Sequence, residues 1–414
     1  MNETPIFQKR LANGLNIVYF PLPVCPVVSI HLIYKTGSKN EKPHQTGFAH
    51  LFEHLMFEGT ANLPKGKFDS ISSKAGGTNN AYTNYDWTSY IMTLPKNQIE
   101  LAFFLESDRM FNMDPTEEAF ENQKKVVIEE IKQTVLNQPY GRWRELLAET
   151  AYPKQSGYNW EVHGSSEDVA NSTLEQAREF FHAFYAPQNA TLAIVGDYPA
   201  DFIFELAAKY FSEEKKVNGF PINDFSETKT GYASYVDTVP YSGVFLSYHA
   251  PSFLDDKSYI TDIISAIAGY GKSSILYNNL LYKKQCVSET SAYPDQREKS
   301  SLLTFYAIAN DDKTTPDELN VLLMEEINKL NDREVIAQHL ERTKNQMKMQ
   351  YANSLLSSSS LAETLCLNST FFNNPERTFE TIEKYNAITV EDCLDFVNTY
   401  INDNNLVRID VFNK

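Results

Sequence analysis

The feature that most limits the fold of this 414-residue chain is an internal repeat with an offset of 216 residues. The run "VVSIHLIYKTGS" from Val27 falls within one position of "VFLSYHAPSFLD" from Val244, and both alternate like strands. The run "STLEQAREFFHAFYAPQNATLAIVGD" from Ser172 falls on "ITVEDCLDFVNTYINDNNLVRIDVFN" from Ile388. Because one offset serves both ends of about 150 residues, the repeat predicts two copies of one fold.

A polar stretch separates the two copies. It reads "EEKKVNGFPINDFSETKT" and has neither helical nor strand periodicity. We predict a linker at 214–229 between a first half at 1–213 and a second half at 230–414, and a long surface loop within one domain is the alternative. Short alternating runs and longer amphipathic runs mix in each half. The predicted fold is therefore α+β, with two homologous α/β sandwich halves related by internal duplication. Each half is a mostly antiparallel sheet with helices packed on one face.

Composition limits the partners and the compartment. A net charge of −17 disfavours nucleic acid, which is bound by clustered Lys and Arg. No apolar run approaches the roughly 18 residues of a membrane span, so no membrane partner is expected. The amino terminus lacks the pattern of a signal peptide, and the four cysteines have no C-x-x-C spacing. We expect a cytoplasmic protein with buried free thiols, or a periplasmic one from which a leader has been removed.

The segment "GFAHLFEHLMF" predicts a helix with His50 and His54 one turn apart on the same face. Glu53 would then lie beside an ion held by both imidazoles, where it can accept a proton from a water molecule that the ion has acidified. This pattern occurs by chance in roughly one such chain in a hundred. An exposed helix with polar pairs is the alternative, but Leu51 and Phe52 make the segment apolar, so the histidines need partners.

A hydrolytic zinc site takes three protein ligands and keeps one position for water, so a third ligand must come from elsewhere. The predicted helix "ENQKKVVIEEIKQ" offers Glu129 and Glu130 within an apolar stripe of Val126, Val127 and Ile131. An unpaired carboxylate would be costly there. One of the two glutamates is expected to face inward, and the pattern alone leaves both open.

Four segments together carry a resemblance: "HLFEHLMFEGT", "GGTNNAYTNYDWTSY", "VVIEEI" and "FYAPQNATLAIVGD". They resemble the inverzincin family of zinc metallopeptidases, which includes pitrilysin, insulin-degrading enzyme and the mitochondrial processing peptidases. The resemblance covers most of residues 10–200 and is mainly architectural in the second half. It implies one zinc ion (Zn2+) per chain, with His50, His54 and Glu130 as ligands and Glu53 as the general base.

The resemblance also implies a substrate-binding strand. The segment "GGTNNAYTNYDWTSY" is similar to the family's edge strand, which captures a substrate backbone, and this places Asn80, Ala81 and Thr83 in the binding segment. An extended peptide can add itself to an open sheet edge through main-chain hydrogen bonds, whatever its side chains. A purely structural hairpin is the alternative.

One position departs from the family pattern, and the choice of the third ligand keeps an alternative. The family tends to carry a second acid seven residues before the ligand glutamate, and this chain has Gln123 there. An amide can orient a partner but adds no negative charge, so its role beside the site is open. Glu129 remains the alternative third ligand.

The second half lacks the corresponding site. At the offset of 216 residues, the positions of the metal-site residues are occupied by Ala266, Gly269, Tyr270 and Gln346. We therefore expect a degenerate second half without a metal site.

Active family members use an Arg and a Tyr, seven residues apart in the second half, to hold the substrate and stabilise the oxyanion. The matching positions here are Leu281 and Ser288, and no arginine occurs in residues 179–296. Either Lys283 or Lys284 replaces the arginine, or a partner chain supplies the pair.

The resemblance thus implies a zinc-dependent endopeptidase (a metalloprotease hydrolase) that cuts peptides or unfolded polypeptides within an enclosed chamber. The missing pair predicts that it is the zinc-bearing subunit of a heterodimer, a clamshell completed by a homologous partner chain. A non-catalytic scaffold or assembly subunit of the same fold is the alternative. A structural zinc site is disfavoured because such sites usually close with four Cys or His ligands.

Overall fold

The computed structural model describes residues 5–215, 225 and 227–414, so most of the predicted linker at 214–229 lies outside the described residues. The strands in the described residues are β1 (Phe7–Arg10), β2 (Asn16–Pro21), β3 (Val27–Tyr34), β4 (Thr78–Thr83), β5 (Thr88–Pro95), β6 (Ala190–Gly196), β7 (Gly231–Asp237), β8 (Gly243–Ala250), β9 (Val287–Asp295), β10 (Ser301–Ala309) and β11 (Leu406–Asn413).

The helices lie in runs between groups of these strands. They are α1 (Phe48–Leu55), α2 (Lys67–Lys74), α3 (Ile99–Asn112), α4 (Glu117–Ile131), α5 (Trp143–Ala151), α6 (Ser166–Asn171), α7 (Leu174–Phe184), α8 (Ala200–Tyr210), α9 (Ser258–Gly269), α10 (Pro316–Ile327), α11 (Arg333–Ser354), α12 (Ser358–Phe372), α13 (Arg377–Ala387) and α14 (Val390–Tyr400). None of the described helices is both long and apolar enough to cross a membrane.

The chain forms two compact units, each assembled from separate segments. Unit 1 contains the described residues within Met1–Ile131, Glu161–Asn223 and Asn353–Glu380. Unit 2 contains those within Lys132–Trp160, Asp224–Ala352 and Thr381–Lys414. The first half of the chain thus contributes α5 to unit 2, and the second half contributes α12 to unit 1. The boundaries at 213 and 230 stay a prediction about the duplication along the chain.

The two sheets share one topology, which confirms the predicted α+β fold. The strand order is β1-β2-β6-β3-β5-β4 in unit 1 and β7-β11-β8-β10-β9 in unit 2. Apart from the additional β1, the two orders are equivalent strand for strand. In each sheet the first repeated strand pairs parallel with the last, β2 with β6 and β7 with β11, and the other pairs are antiparallel.

The closing helix and strand of each unit follow the predicted repeat closely. Helices α7 and α14 begin 216 residues apart, and both have a threonine at the N-cap, Thr173 and Thr389, in a capping box. After each helix an asparagine side chain, Asn189 or Asn405, donates to the carbonyl oxygen five residues earlier. The repeat therefore extends to the hydrogen bonds that end these helices.

Helices cover both faces of the sheet in unit 1. Most of them pack on the predicted face, where α1, α3, α4, α7 and α8 form one core with the sheet. The opposite face is also buried, because Leu361, Leu365 and Cys366 of α12 pack against Val18 and Ile33. Sequence reasoning did not predict this second layer, although strands covered on both faces do read as continuous apolar runs.

The cysteines of the chain are free thiols, as expected. Cys366 and Cys393 are buried, whereas Cys25 and Cys286 are only partly buried. The expectation of buried thiols therefore holds for two of the four.

Replacing Leu365 by alanine should destabilise unit 1, because the side chain is fully buried between α12 and the sheet. We expect the free energy of unfolding, measured by chemical denaturation, to fall by about 2–5 kcal/mol. Leu356→Ala, at a side chain that is 83% exposed, is the matched control and should change it by less than about 0.5 kcal/mol. Equal effects of the two substitutions would contradict the second layer.

Candidate metal centre and edge strand

The eight-residue helix α1 is stabilised by core packing of its apolar side chains and by hydrogen bonds to a buried carboxylate. Leu51, Phe52 and Leu55 lie in the core of unit 1. At the start of the helix, the two carboxylate oxygens of Glu41 accept hydrogen bonds from the main-chain N–H groups of Gly47 and Ala49, at 2.9 and 2.8 Å. These contacts supply the partners that the first N–H groups of a helix lack.

Gly47 is required where the chain enters α1. Its φ is +86°, in the left-handed region, and a Cβ atom there would lie 2.6 Å from the main-chain oxygen of His163. The helix is therefore fixed at its first turn by both a glycine and a carboxylate, and the direction of its polar face follows.

Three predicted ligands converge at that polar face. The Nε2 atoms of His50 and His54 are 3.4 Å apart, and Glu130 on α4 brings its carboxylate oxygens to 3.7 Å from His50 Nε2 and 3.4 Å from His54 Nε2. Ligand atoms about 2.0–2.2 Å from a tetrahedral zinc ion lie roughly 3.3–3.6 Å from one another. The donor set and its spacing therefore fit zinc, and no other such group of three or more occurs among the described residues.

The two candidate glutamates of α4 differ in orientation. Glu130 is half-buried beside the histidines, whereas the side chain of Glu129 is exposed. Val127 and Ile131 are buried as expected, but Val126, which was expected in the apolar stripe, is 48% exposed. The difference in side-chain exposure distinguishes Glu130 from Glu129, which the sequence pattern could not do. The role of Glu130 as a ligand stays a prediction.

The local electrostatics suit a metal ligand and a proton acceptor. Burial, with smaller effects of His54 and His163, lowers the pKa of His50 to about 3. The neutral imidazole is the form that binds metal ions. Burial raises the pKa of Glu53, while the hydrogen bond from Thr83 and the nearby His54 act in the opposite direction. Glu53 lies beside the three converging ligands and is not one of them.

Strand β4 is the open edge of the sheet in unit 1. In the described chain it pairs with β5 alone, from Thr78 opposite Thr93 to Thr83 opposite Thr88. Asn84 N donates to Trp87 O at the hairpin end. Because antiparallel pairing alternates from there, the main-chain groups of Ala81 and Thr83 face the open side.

The cleft beside the candidate metal centre is bounded by Glu53, His54 and residues 79–81 of β4. Its other wall includes Gln123, whose Nε2 donates to Glu58 Oε1 at 2.6 Å. The amide at the family's acidic position therefore orients a carboxylate on the loop after α1. Sequence reasoning missed Glu58, and its spacing of one helical turn after His54 was the available signal.

The predicted counterparts of the site in unit 2 need correction. Gln296 follows β9 in the place where Thr83 ends β4, and its Nε2 donates to Asp262 Oδ1 at 2.6 Å. Thr83 makes the equivalent bond to Glu53. Asp262, and not Gly269, is therefore the counterpart of Glu53.

Loop length explains six of the seven residues by which the counterpart of Glu53 is shifted. The segment between β8 and α9 is six residues shorter than the segment between β3 and α1, so the offset of 216 does not hold for these helices. Counted from Asp262, the two histidine positions fall on Tyr259 and Ile263 in place of Ala266 and Tyr270, and Tyr270 accepts a hydrogen bond from Gln350 of α11. Neither Tyr259 nor Ile263 is a zinc ligand in this setting.

Helix α11 is shifted in the other direction. Lys124 of α4 and Lys344 of α11 both pair with a glutamate three residues earlier and donate to a main-chain oxygen two residues before α7 or α14. These matching contacts give an offset of 220, which makes Gln350 the counterpart of Glu130 in place of Gln346.

The polar side chains at and near the positions expected for the Arg and Tyr pair have partners within unit 2. Ser288 donates to a main-chain oxygen of β10, and Leu281 lies in a π-helical segment. Lys284 lies 3.2 Å from Glu326 Oε1 in an ion pair, and Lys283 contacts an asparagine one turn earlier. A lysine already paired with a carboxylate is poorly suited to replace a free arginine.

The duplicated fold and the inverted H-x-x-E-H motif define a chain of the inverzincin class. The protein-family model described as "Insulinase (Peptidase family M16)" matches residues 18–159, and the family model described as "Peptidase M16 inactive domain" matches residues 171–347. Zinc protease PqqE of Helicobacter pylori is 31% identical over 359 residues, which are 85% of this chain and 80% of that protein. The chain belongs to peptidase family M16, the pitrilysin family.

Two further comparisons agree with this assignment. The crystal structure of a protease from Helicobacter pylori matches with a TM-score of 0.92 and 28% identity, over 99% of both chains. The beta subunit of the mitochondrial-processing peptidase of Neurospora crassa is 22% identical over 412 residues, covering 96% of this chain and 85% of that subunit. The fold predicted from the resemblance is therefore confirmed along nearly the whole chain.

The two neighbouring glutamates of α4 provide a matched pair of variants. Glu130→Gln should weaken zinc binding by at least about 100-fold, because loss of even an outer partner of a ligand costs about 10- to 100-fold. Glu129→Gln, at an exposed side chain, should bind zinc like the wild type. Competition with a chromogenic chelator measures both affinities, and a reversed order would assign the third ligand to Glu129.

Proposed function

We propose that the chain is a zinc-dependent endopeptidase that hydrolyses peptides or unfolded polypeptides within an enclosed chamber. The observation that carries the proposal is the convergence of His50, His54 and Glu130 at the spacing of a tetrahedral ion, with Glu53 beside them. Relatives named as zinc proteases support it.

The reaction assigns separate work to the ion and to the protein. Zinc, when bound, would polarise the scissile carbonyl and acidify water. Glu53 accepts a proton from the attacking water and passes it to the nitrogen of the leaving amine. His50, His54 and Glu130 would hold the ion, and because they are three ligands they would leave a fourth position for water or substrate.

Substrate binding is proposed at the edge strand. An extended peptide would pair with β4, where the alternation of the sheet turns the main-chain groups of Ala81 and Thr83 to the open side. Asn80 is exposed on the same strand and lines the cleft beside Glu53. Main-chain pairing of this kind accepts varied sequences, which suits unfolded polypeptides.

We further propose that the chain is the zinc-bearing subunit of a heterodimer. The engagement of Lys284 and Ser288 within unit 2 supports supply of the Arg and Tyr pair by a homologous partner. One relative is named as the beta subunit of a processing peptidase, and this name is consistent with family members that act as two-chain enzymes. Both chains would share a compartment, for which we retain the cytoplasm, with the periplasm as the alternative.

The variant Glu53→Gln tests the peptidase directly. It should bind zinc like the wild type but cleave a quenched peptide about 100- to 10,000-fold more slowly, because an amide cannot accept the proton. Glu129→Gln is the matched control and should retain wild-type kcat. Unchanged cleavage by Glu53→Gln would refute its role as the base.

Isolation from native cells tests the heterodimer. We expect a homologous chain that carries an Arg and a Tyr seven residues apart to copurify, and its addition should raise kcat/KM of the zinc-bearing chain. A single purified chain with full activity and no homologous partner would contradict this proposal. Zinc binding without any cleavage, even with the partner, would favour the non-catalytic scaffold, consistent with the match of residues 171–347 to a family model described as an inactive domain.

A further inference from the structure

The last residue of the edge strand contacts the proposed base. Thr83 Oγ1 donates a hydrogen bond to Glu53 Oε2 at 2.6 Å. Side chains alternate along β4, and Asn79, on the same face as Thr83, donates to Ser72 of α2 at 2.7 Å. Tyr82 points to the other face, where its hydroxyl donates to Glu363 of α12. One face of β4 is therefore tied to the helices that carry and flank the site.

The bond fixes one of the two carboxylate oxygens of Glu53. A glutamate side chain rotates about three bonds, and proton transfer needs the accepting oxygen within hydrogen-bond reach of the proton. In the described part of the chain, Thr83 is the residue whose side chain donates to this carboxylate. With Oε2 held, Oε1 is the oxygen left to accept the proton.

Thr83 also faces the substrate side of the strand. The antiparallel alternation that places its side chain next to Glu53 turns its main-chain N–H and C=O to the open edge. A peptide pairing with β4 would therefore hydrogen-bond to the same residue that holds the base. This places both tasks within a single residue of the fold.

We infer that Thr83 is a positioning residue for the base, and that its hydroxyl aims Glu53 while its main chain contributes to the edge that receives the peptide. The inference rests on the proposed peptidase function. It gives the Thr83 side chain a task different from the substrate contact expected from the resemblance.

Three variants test the inference. Thr83→Val removes the hydroxyl with little change of shape, and Thr83→Ser restores it. Thr93→Val is the matched control, because Thr93 is a half-buried threonine on the neighbouring strand whose hydroxyl contacts Ser29 and not the base. Each protein is measured for kcat and KM on a quenched peptide, for zinc affinity, and for the conformation of Glu53 in crystals of the zinc-loaded chain.

We expect Thr83→Val to lower kcat by about 10- to 100-fold with KM and zinc affinity unchanged, since loss of an outer hydrogen-bond partner has effects of this size. Thr83→Ser should recover kcat to within about threefold, and Thr93→Val should match the wild type. In crystals, Glu53 should occupy more than one rotamer in Thr83→Val while the three ligands stay in place.

Wild-type kcat in Thr83→Val, equal losses in Thr83→Val and Thr83→Ser, or a change confined to KM would overturn the inference. These outcomes leave the peptidase proposal intact, because the wild type remains active. If the wild type binds zinc and cleaves nothing, the proposed function fails instead. The crystals then decide alone, and a single unchanged Glu53 rotamer in Thr83→Val would overturn the role of Thr83.

Discussion

The site depends on the packing of one short helix. An isolated helix of eight residues is not stable in water, so α1 forms because its apolar side chains enter the core and because Glu41 caps its first turn. Those contacts leave one direction for the polar face, and His50 and His54 share it. Helix α4 and strand β4 both pack against α1, which brings Glu130 and Thr83 to the same place from distant parts of the sequence.

Much of the fold could be predicted because it follows from local pattern. The strands, the helix of the H-x-x-E-H motif and the repeat of the closing helix are all specified by residues close to one another in the chain. Contributions from distant segments were not predictable in this way. Helix α12 packs on the second face of the sheet in unit 1. The spacing of its apolar residues does not predict this, because an amphipathic pattern shows which face of a helix is buried and not which element covers it.

The local part of the site could also be predicted from the sequence, whereas the parts that depend on distant segments could not. The spacing of the histidines fixes their geometry on a helix, but the choice between Glu129 and Glu130 depends on which side of α4 is buried. Loop lengths caused the main error, because six residues fewer before α9 and a shift in α11 broke the register of the repeat. A constant offset therefore gave the correct fold with the wrong counterparts in unit 2.

Unit 2 shows what the same architecture does without imidazoles. Asp262 keeps a carboxylate at the position of the base, and Gln296 and Tyr385 donate to its two oxygens at 2.6 and 2.8 Å. Burial raises its pKa to about 7, against the effect of both hydrogen bonds. Tyr259 packs edge-on against Tyr385 where the first histidine would be. The carboxylate is thus satisfied by side chains in unit 2, whereas in unit 1 it borders a cleft.

The central claim is that two imidazoles and one carboxylate of unit 1 hold a single zinc ion. The zinc X-ray absorption spectrum of the purified chain tests it most directly. The claim predicts one zinc per chain, surrounded only by nitrogen and oxygen at about 2.0–2.2 Å, with the outer scattering of two imidazole rings. A sulfur neighbour at about 2.3 Å, or the absence of imidazole scattering, would contradict it.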